Sequence, residues 1–525
     1  EAAFRFAEKS KAHALAVALQ DAAARQVSNI PAAMLEREKS IRLEKAYYKE
    51  LIFRERQRGA GADTDKILLW QGKVLEASRA GEALMAELER DYPTYHRLKY
   101  NFEVADLAAV RNALSDQSVL VEYFRGERQL FVFTVTSGEA FLYSQPRDSV
   151  VDRQLQAFLG QLQDRRRIQE EGNSVALYEA FAGLSGFLYD ALLRPALSRA
   201  PISRLIVIPD GDLSYLPFEL LLEERVAGGG PVDYAALPYL LKRCPLRYEY
   251  SATLLTRPVR EDRTQRGFTG FAPSYGSNLI AAARDAQVHC ADARGLAFGN
   301  LANNQGEVAA IAERWRGLSF LSEAATEAAF RRHAAGSKVL HLAMHGFINH
   351  CDPHYSGLVF TLPAEEGAAA VDSVAGMTGA ADDGILHAYE IYAMQLDAGL
   401  AVLSACQTGA GQFARGEGVM SLARAFRYAG CANVLTSLWQ ADDGATAAVM
   451  ESFYELLGQG KGKDEALQLA KLRYLQNSNR NHPFFWGAFI LLGDDLPVEL
   501  PEKGSPWGWM IALLMIGGAV GWWRR

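Results

Sequence analysis

The sequence predicts an α/β fold built on a mostly parallel, doubly wound sheet. From residue 204 onward, short apolar runs that suit buried strands alternate with stretches of helical periodicity. Two of these runs end in reactive residues, since 339–344 leads into His345 and 399–405 leads into Cys406. Because open α/β sheets bind ligands at the carboxyl ends of their strands, we expect these two side chains to lie close together.

Length and composition exclude several classes of protein. The 525 residues exceed what one core normally holds, so we expect two or three domains. The net charge is −7 and no basic stripe stands out, so nucleic acid is not an expected partner. The five cysteines are scattered and form no CxxC, which favours neither a disulfide framework nor a cysteine zinc site. We expect no metal and no cofactor.

Residues 1–112 carry a helical pattern, with a turn predicted at 59–63 and a break at Tyr92-Pro93. The lengths suit the stacked hairpins of a tetratricopeptide-like segment. No clean 34-residue period is present, so an isolated coiled-coil-like hairpin remains an alternative. The chain begins with Glu1 and carries no signal sequence, which indicates a piece of a longer protein or a matured one.

Residues 113–174 form a lead-in in which the pattern changes from helical to strand-like, with a hairpin signal at 125–127. Beyond it, predicted strands lie at 204–209, 267–271, 338–343, 358–360, 400–405 and 433–438. Predicted helices lie at 305–316, 323–335, 417–428, 444–457 and 463–475. Segment 361–384 is rich in alanine, glycine and acidic residues, and we interpret it as a flexible surface insertion where self-cleavage would be sought.

A cysteine and a histidine at neighbouring strand ends suit nucleophilic catalysis. A thiol is a poor nucleophile until it ionises, and an adjacent imidazole both activates it and stabilises the thiolate. The backbone N–H groups of Gly346 and Cys406 are candidate oxyanion donors, because glycine lets a substrate approach closely. From spacing alone, a structural cysteine is the commoner explanation.

Several blocks of sequence add to this interpretation because they occur together and in order. They are 208–211, 216–219, Glu307, 339–346, 352–353, 356–358, 403–409, 416–418, 438–443, 482–489 and 492–494. Together they resemble the CHAT family, caspase-like domains associated with tetratricopeptide repeats in the clan of caspases, separase and gingipains. The resemblance is strong over about 175–494.

The resemblance implies a caspase-like domain over 175–494, with His345 as general base and Cys406 as nucleophile of a cysteine endopeptidase. Its partners would be a protein substrate and, through the helical repeats, a regulatory protein. His341, four residues before His345, is expected to lie in the core or to support the site. The alternative is a catalytically silent CHAT module that acts in protein interaction or signalling.

Asp442 and Asp443 follow the pair Leu438-Trp439, and in separase-like relatives an acidic residue there receives a basic side chain before the scissile bond. The resemblance therefore implies a substrate pocket for arginine or lysine. The alternative is that one or both aspartates cap the helix that begins near Gly444.

Two other patterns compete for the same region. Residues 409–414 match the glycine spacing of a dinucleotide-binding loop, although the predicted helix begins only near Glu417. His345, His350, Cys351 and His354 lie within ten residues and have the side chains of a zinc site. We favour neither reading.

Residues 506–523 contain 18 residues without a charge and follow a linker at 495–505. Such a helix would be about 27 Å long, enough for a hydrocarbon core, and tryptophans flank both ends. We expect a single transmembrane helix; a buried core helix is the alternative. The terminal Arg524-Arg525 favours a cytoplasmic C-terminus, although this evidence does not decide the side of the membrane.

Overall fold

The computed structural model describes most of the chain from residue 1 to residue 498. The described residues are 1–11, 15, 30–93, 104–171, 174–198, 201–226, 229–257, 266–275, 298–349, 352–361, 383–404, 411–414, 418–440 and 442–498. Cys406, His350, Cys351 and the predicted span at 506–523 therefore lie outside the described residues.

Eleven strands of the described residues form one mixed sheet, in the order β3-β2-β1-β4-β5-β16-β15-β12-β8-β6-β7. A three-stranded sheet, β11-β10-β9, and a hairpin, β13-β14, complete the strands. Their bounds are β1 Ser118–Arg125, β2 Gln129–Val135, β3 Ala140–Pro146, β4 Arg204–Ile208, β5 Leu246–Tyr248, β6 Arg266–Ala272, β7 Leu318–Leu321, β8 Ser337–Leu342, β9 His345–Phe347, β10 Gly357–Val359, β11 Ile385–His387, β12 Leu400–Leu403, β13 Gly411–Ala414, β14 Gly418–Ser421, β15 Val434–Ser437 and β16 Phe489–Leu492.

The large sheet consists of two parallel groups that meet in the middle. Strands β1, β4, β5 and β16 run parallel to one another, and so do β15, β12, β8, β6 and β7. The two groups join through the antiparallel pair β15 and β16. Strands β2 and β3 extend the edge as antiparallel hairpins, because their short loops cannot make a parallel crossover. The prediction of a mostly parallel α/β sheet is confirmed.

The helices of the described residues lie before, between and after these strands. Their bounds are α1 Ala2–Lys9, α2 Ala32–Gln57, α3 Thr64–Asp91, α4 Leu107–Ala113, α5 Ser149–Gln163, α6 Arg165–Glu171, α7 Val175–Leu192, α8 Arg194–Leu197, α9 Ala252–Leu255, α10 Asn304–Trp315, α11 Glu327–His333, α12 Ala388–Ala393, α13 Leu422–Tyr428, α14 Asp443–Gly458, α15 Lys463–Asn477 and α16 Pro483–Trp486.

Helices cover both faces of the sheet in the half that contains β1 and β4. Side chains alternate between the faces of a strand, so neighbouring residues enter different cores. Leu120 and Ile206 pack in one cluster with Phe4 of α1. The residues beside them belong to a second cluster together with helices α5 and α7: Val119, Val121, Leu205, Val207, Phe158 and Phe181.

Helix α1 is tied to the sheet by buried charges as well as by apolar packing. The Lys11 ammonium, just after the helix, donates to the Glu122 carboxylate of β1 at 2.8 Å and to the Tyr123 carbonyl at 2.6 Å. The Glu8 carboxylate accepts from the backbone N–H groups of Ala252 and Thr253 at the start of α9. Removing one member would leave its partner charged in the core, so these contacts fix where α1 sits.

The turn predicted near residue 60 lies between α2 and α3, which pack against each other. Helix α3 begins after Asp63, whose carboxylate accepts from the backbone N–H groups of Asp65 and Lys66. It ends at Asp91, beside the Tyr92-Pro93 break that the sequence indicates. The described residues 32–91 are thus helical on both sides of this turn, as the pattern indicates.

The helix predicted at 417–428 begins later, at Leu422, where the Ser421 side chain accepts from the Arg424 backbone N–H. The residues before it form β14, which pairs with β13. Residues 411–414 form a strand and not the start of a helix, so they lack the turn into a helix that a dinucleotide-binding loop needs. The strand predicted at 358–360 exists as β10, but it belongs to the three-stranded sheet.

Within the part of the chain that the structure describes, no helix is long and apolar enough to cross a membrane. The helix predicted at 506–523 lies outside that part.

Candidate functional site

Strands β8 and β12 are parallel neighbours, so their carboxyl ends lie at the same edge of the sheet. Leu342 and Leu403 are paired across the ladder. His345 follows Leu342 by three residues, and Cys406 follows Leu403 by three residues. Both positions thus follow the carboxyl ends of paired strands, although Cys406 itself lies outside the described residues.

His345 is half-buried at the start of β9, and its ring is held by backbone and aromatic groups. Its Nε2 lies 2.7 Å from the carbonyl oxygen of Gly299. The ring centroid lies 4.8 Å from that of Tyr275 and 5.3 Å from that of Phe298. These contacts, from one backbone carbonyl and two aromatic rings, fix the orientation of the imidazole.

The hydrogen bond to Gly299 decides which nitrogen of His345 is free for chemistry. A carbonyl oxygen can only accept, so Nε2 must carry the proton and donate it. In the neutral ring Nδ1 is then unprotonated and acts as a base. Among the described residues, none forms a hydrogen bond with Nδ1 of His345. The arrangement therefore suits a general base that takes its proton through Nδ1.

The environment of His345 also favours the neutral ring. Burial lowers the pKa of His345 below its ordinary value, because a charged imidazolium loses hydration there. The Gly299 carbonyl and the negative charge of Asp443 act in the opposite direction and raise this pKa. The net direction is downward, so the base form is favoured at neutral pH.

Hydrogen bonds join the carboxyl ends of β6 and β8 close to His345. The buried Asn304 amide at the start of α10 donates to the carbonyls of Pro273 and Ala343, at 2.9 and 3.1 Å. The Tyr275 hydroxyl accepts from the His345 backbone N–H at 3.0 Å. These contacts tie the carboxyl ends of two neighbouring parallel strands to the histidine.

Gly346, a predicted oxyanion donor, lies next to His345 in β9 and opposite Leu358 of β10. It is therefore at the same edge as the imidazole. The other predicted donor, the backbone N–H of Cys406, lies outside the described residues.

Asp442 has the capping role that was the alternative to substrate binding. Its carboxylate accepts from the Ala445 backbone N–H at 3.2 Å at the start of α14. Both of its oxygens also bind the Arg480 guanidinium, each at 3.1 Å. The Arg480 group in turn lies 4.1 Å above the Phe485 ring. With its negative charge paired in this way, Asp442 is poorly suited to receive a substrate cation.

Asp443 differs from its neighbour. It is the first residue of α14, which follows β15, and β15 is the parallel neighbour of β12. The Asp443 carboxylate is near enough that its charge raises the pKa of His345. No hydrogen bond from a described residue satisfies this carboxylate. The structure thus brings a half-buried negative charge to the same edge as the histidine.

His341 lies in the core, as expected. Its side chain is fully buried, and Nδ1 lies 2.6 Å from the Tyr454 hydroxyl of α14. Its Nε2 lies 2.9 Å from the Glu307 carboxylate of α10, in an ion-pair contact that is not aligned as a hydrogen bond. His341 therefore connects β8 to two helices and is turned away from solvent.

The residues that the structure describes contain no group of three side chains that could hold a zinc ion. His354, one of its members, has its Nδ1 2.9 Å from the Asp352 carboxylate. His350 and Cys351 are outside the described residues.

The sequence did not single out Tyr275, Gly299 or Asn304, which hold His345 and the strand ends. Tyr275 lies three residues beyond β6, in the run Pro273-Ser274-Tyr275 after a predicted strand. A buried strand followed by a proline and a hydrogen-bonding side chain was the available signal. It becomes informative only once β6 is known to lie beside β8.

Two curated relatives match the chain, and both are much longer proteins. Human tetratricopeptide repeat protein 28 is 26% identical over 340 residues, which are 60% of this chain and 13% of that protein. The mouse protein of the same name is 31% identical over 120 residues, which are 23% of this chain and 5% of that protein. The chain thus spans about an eighth or less of the length of these relatives.

Two solved structures align with part of the chain at low sequence identity. The Arg-specific cysteine proteinase gingipain R aligns with a TM-score of 0.36 at 9% identity, over 61% of this chain and 68% of that chain. A Saccharomyces cerevisiae separase–securin complex aligns with a TM-score of 0.42 at 9% identity, over 81% of this chain and 34% of that chain.

The CHAT domain family model matches residues 183–494, which is more than half of the 525 residues. The match includes β8, β12, β15 and the segments that follow them, which carry His345, Asp442 and Asp443. The chain therefore belongs to the CHAT domain family.

Proposed function

We propose that the protein is a cysteine endopeptidase in which His345 and Cys406 form the catalytic dyad. The observation that carries the proposal is the register of β8 and β12. Leu342 and Leu403 pair at the carboxyl ends of these parallel strands, and His345 and Cys406 follow them in sequence by three residues each. A ligand site at such an edge is typical of open α/β sheets.

The state of His345 further supports this chemistry. With Nε2 donating to Gly299, the unprotonated Nδ1 accepts the proton of the Cys406 thiol. The thiolate attacks the scissile carbonyl carbon, and a C–S bond forms. The imidazolium then protonates the leaving amine as the C–N bond breaks. Water, deprotonated by His345, cleaves the thioester and releases the acid and the thiol. The Gly346 and Cys406 N–H groups would stabilise the oxyanion.

We propose that the substrate carries arginine or lysine before the scissile bond, and that Asp443 receives it. Support comes from the half-buried carboxylate whose charge acts on His345, and from the pairing of Asp442 with Arg480. A carboxylate recognises a guanidinium through charge-assisted hydrogen bonds.

This specificity argues against self-cleavage in the insertion at 361–384. That segment contains five aspartates or glutamates and neither lysine nor arginine. A pocket built around Asp443 would have no basic side chain to bind there. We therefore expect the insertion to remain intact during turnover.

The N-terminal helices are proposed as the site for a regulatory protein partner. Helix α3 exposes several large apolar side chains, which in a repeat-like segment suit another protein surface. The exposed fractions are 60% for Leu68, 62% for Leu69, 53% for Leu75 and 41% for Met85.

The C-terminal residues 506–523 are proposed as a single membrane anchor, on the strength of their uncharged, tryptophan-flanked sequence. Carbonate extraction tests this point. A chain that ends at Glu502 should be released from membranes, and its retention would contradict the anchor.

The peptidase proposal is tested with a thiol-reactive peptide probe that carries arginine next to its electrophile. We expect the full chain to be labelled once, at Cys406, and Cys406→Ala to abolish both labelling and cleavage of arginine-containing peptides. Cys431→Ala is the matched control, because Cys431 is fully buried. Labelling that survives Cys406→Ala would refute the assignment.

A further inference from the structure

We propose that Tyr275 is a positioning residue for His345: its hydroxyl and ring together hold the imidazole and the Gly299 segment in the geometry that the dyad needs. This inference deepens the proposed peptidase function and rests on it. In this proposal Tyr275 acts through His345 and the Gly299 segment and transfers no proton itself.

The hydroxyl of Tyr275 joins two strands at the point where His345 begins. It accepts from the His345 backbone N–H at 3.0 Å and donates to the Val359 carbonyl at 2.8 Å. His345 is the first residue of β9 and Val359 the last residue of β10, and the two are paired in register. The hydroxyl thus bridges the residue pair His345 and Val359 at the end of the three-stranded sheet. This bridge fixes the backbone to which the imidazole is attached.

The ring of Tyr275 contacts the imidazole, and its backbone contacts the segment that holds the imidazole. The two ring centroids are 4.8 Å apart, with an angle of 53° between the planes. The Tyr275 backbone N–H donates to the Asn300 side-chain oxygen at 2.7 Å. Asn300 follows Gly299, whose carbonyl holds Nε2 of His345. One residue therefore contacts the histidine backbone, the histidine ring and the segment that orients that ring.

Burial makes these contacts hard to replace. Tyr275 is only 3% exposed, so water cannot easily substitute for its hydroxyl. Without it, the His345 N–H and the Val359 carbonyl each lose a partner. The start of β9 would then move until both groups were satisfied, and the imidazole would move with it. A small displacement of a catalytic group costs rate far more than it costs substrate binding.

Tyr275→Phe tests the inference because it removes the hydroxyl and keeps the ring. The matched control is Tyr123→Phe, whose hydroxyl is also buried and donates to a backbone carbonyl, that of Leu192 at 3.0 Å, far from the site in sequence. We expect Tyr275→Phe to lower kcat for an arginine peptide about tenfold or more at unchanged KM. Tyr123→Phe should leave both constants unchanged.

The second measurement observes His345 itself and does not need activity. In the Cys406→Ala chain, histidines labelled with ¹³C at Cε1 are followed by NMR, and the His345 signal is identified by its loss in His345→Gln. We expect Tyr275→Phe to shift this signal and to weaken the preference for the Nε2–H tautomer. Tyr123→Phe should not affect it.

The two readouts separate the inference from the function on which it rests. If Tyr275→Phe perturbs the His345 signal no more than Tyr123→Phe does, the positioning role is overturned, whatever happens to kcat. If the signal responds as expected but the full chain neither cleaves peptides nor reacts with the probe, the positioning role stands and the peptidase proposal fails.

Discussion

Two histidines of the same segment, His341 and His345, have opposite environments. His341 is fully buried within β8, and both ring nitrogens face side chains of the core, Tyr454 and Glu307. His345 lies three residues beyond the end of β8 and is half-buried, with Nε2 on the Gly299 carbonyl. Both nitrogens of the first histidine are occupied, whereas the second keeps Nδ1 for chemistry.

The comparison shows that the partners of a histidine ring decide whether the side chain serves structure or chemistry. A partner such as Tyr454 or Glu307 fixes an imidazole by making it part of the packing between a strand and two helices. A backbone carbonyl such as that of Gly299 fixes the ring but cannot titrate. His345 can be held by a backbone carbonyl because it lies beyond the end of β8, where the chain leaves the core.

The largest expected effect is on activity at His345. We expect His345→Ala to lower kcat/KM for an arginine peptide by about a thousandfold, because the general base is lost. The midpoint of urea unfolding should change little, since the side chain is half-buried. A variant that keeps more than a tenth of the wild-type activity would contradict the role of His345 as base.

At His341 we expect the opposite result, a loss of stability with little change in activity. His341→Ala should destabilise the domain by about 3 kcal/mol, because it opens a cavity and leaves the Tyr454 hydroxyl and Glu307 carboxylate without their partner. Denaturant unfolding measures the change. Activity per folded molecule at low temperature should remain near that of the wild type. A loss of activity without a loss of stability would mean that the two histidines are not divided between structure and chemistry.

Asp442 and Asp443 extend the comparison to two neighbouring carboxylates. We expect Asp443→Asn to lower kcat/KM for arginine peptides about thirtyfold relative to peptides with a neutral residue there, through loss of a charge-assisted contact. Asp442→Asn should instead weaken the cap of α14 and the Arg480 pair, with a cost of about 1 kcal/mol and little change in preference. Peptide-library profiling of both variants measures the preference; equal profiles would argue against the pocket.

The smallest expected effect is on the titration of His345. Burial lowers its pKa, so the ring should remain neutral down to a pH below the ordinary value of about 6.5 for histidine. Since the charge of Asp443 raises this pKa, Asp443→Asn should lower it further. NMR titration of the Cys406→Ala chain measures both; a rise in the pKa on Asp443→Asn would contradict the proximity of the two groups.

Much of the sheet and part of the site could be predicted from the sequence. Apolar runs mark buried strands, and this pattern identified β8 and β12 and the residues that follow them. Strand order and direction depend on contacts between distant segments. The antiparallel junction of β15 and β16 was therefore not predicted, and neither was the hairpin β13-β14 in place of the first turn of a helix.

The partners of His345 were missed for the same reason. Gly299 is 46 residues away and Tyr275 is 70 residues away in sequence, and neither belongs to a periodic segment. Their contacts exist because β6 lies beside β8. Asp442 could be predicted as a cap from its position before a helix, whereas its pairing with Arg480 could not.

The most direct test of the central claim is the reactivity of Cys406 towards iodoacetamide, with and without His345. Cys244 and Cys431 serve as internal controls: they are buried, and burial raises the pKa of each thiol to about 12. Mass spectrometry of each cysteine at pH 6 to 7 gives the rates. We predict rapid alkylation of Cys406 that falls at least tenfold in His345→Ala, while the controls stay unmodified. A Cys406 rate that is unaffected by His345→Ala would contradict the dyad.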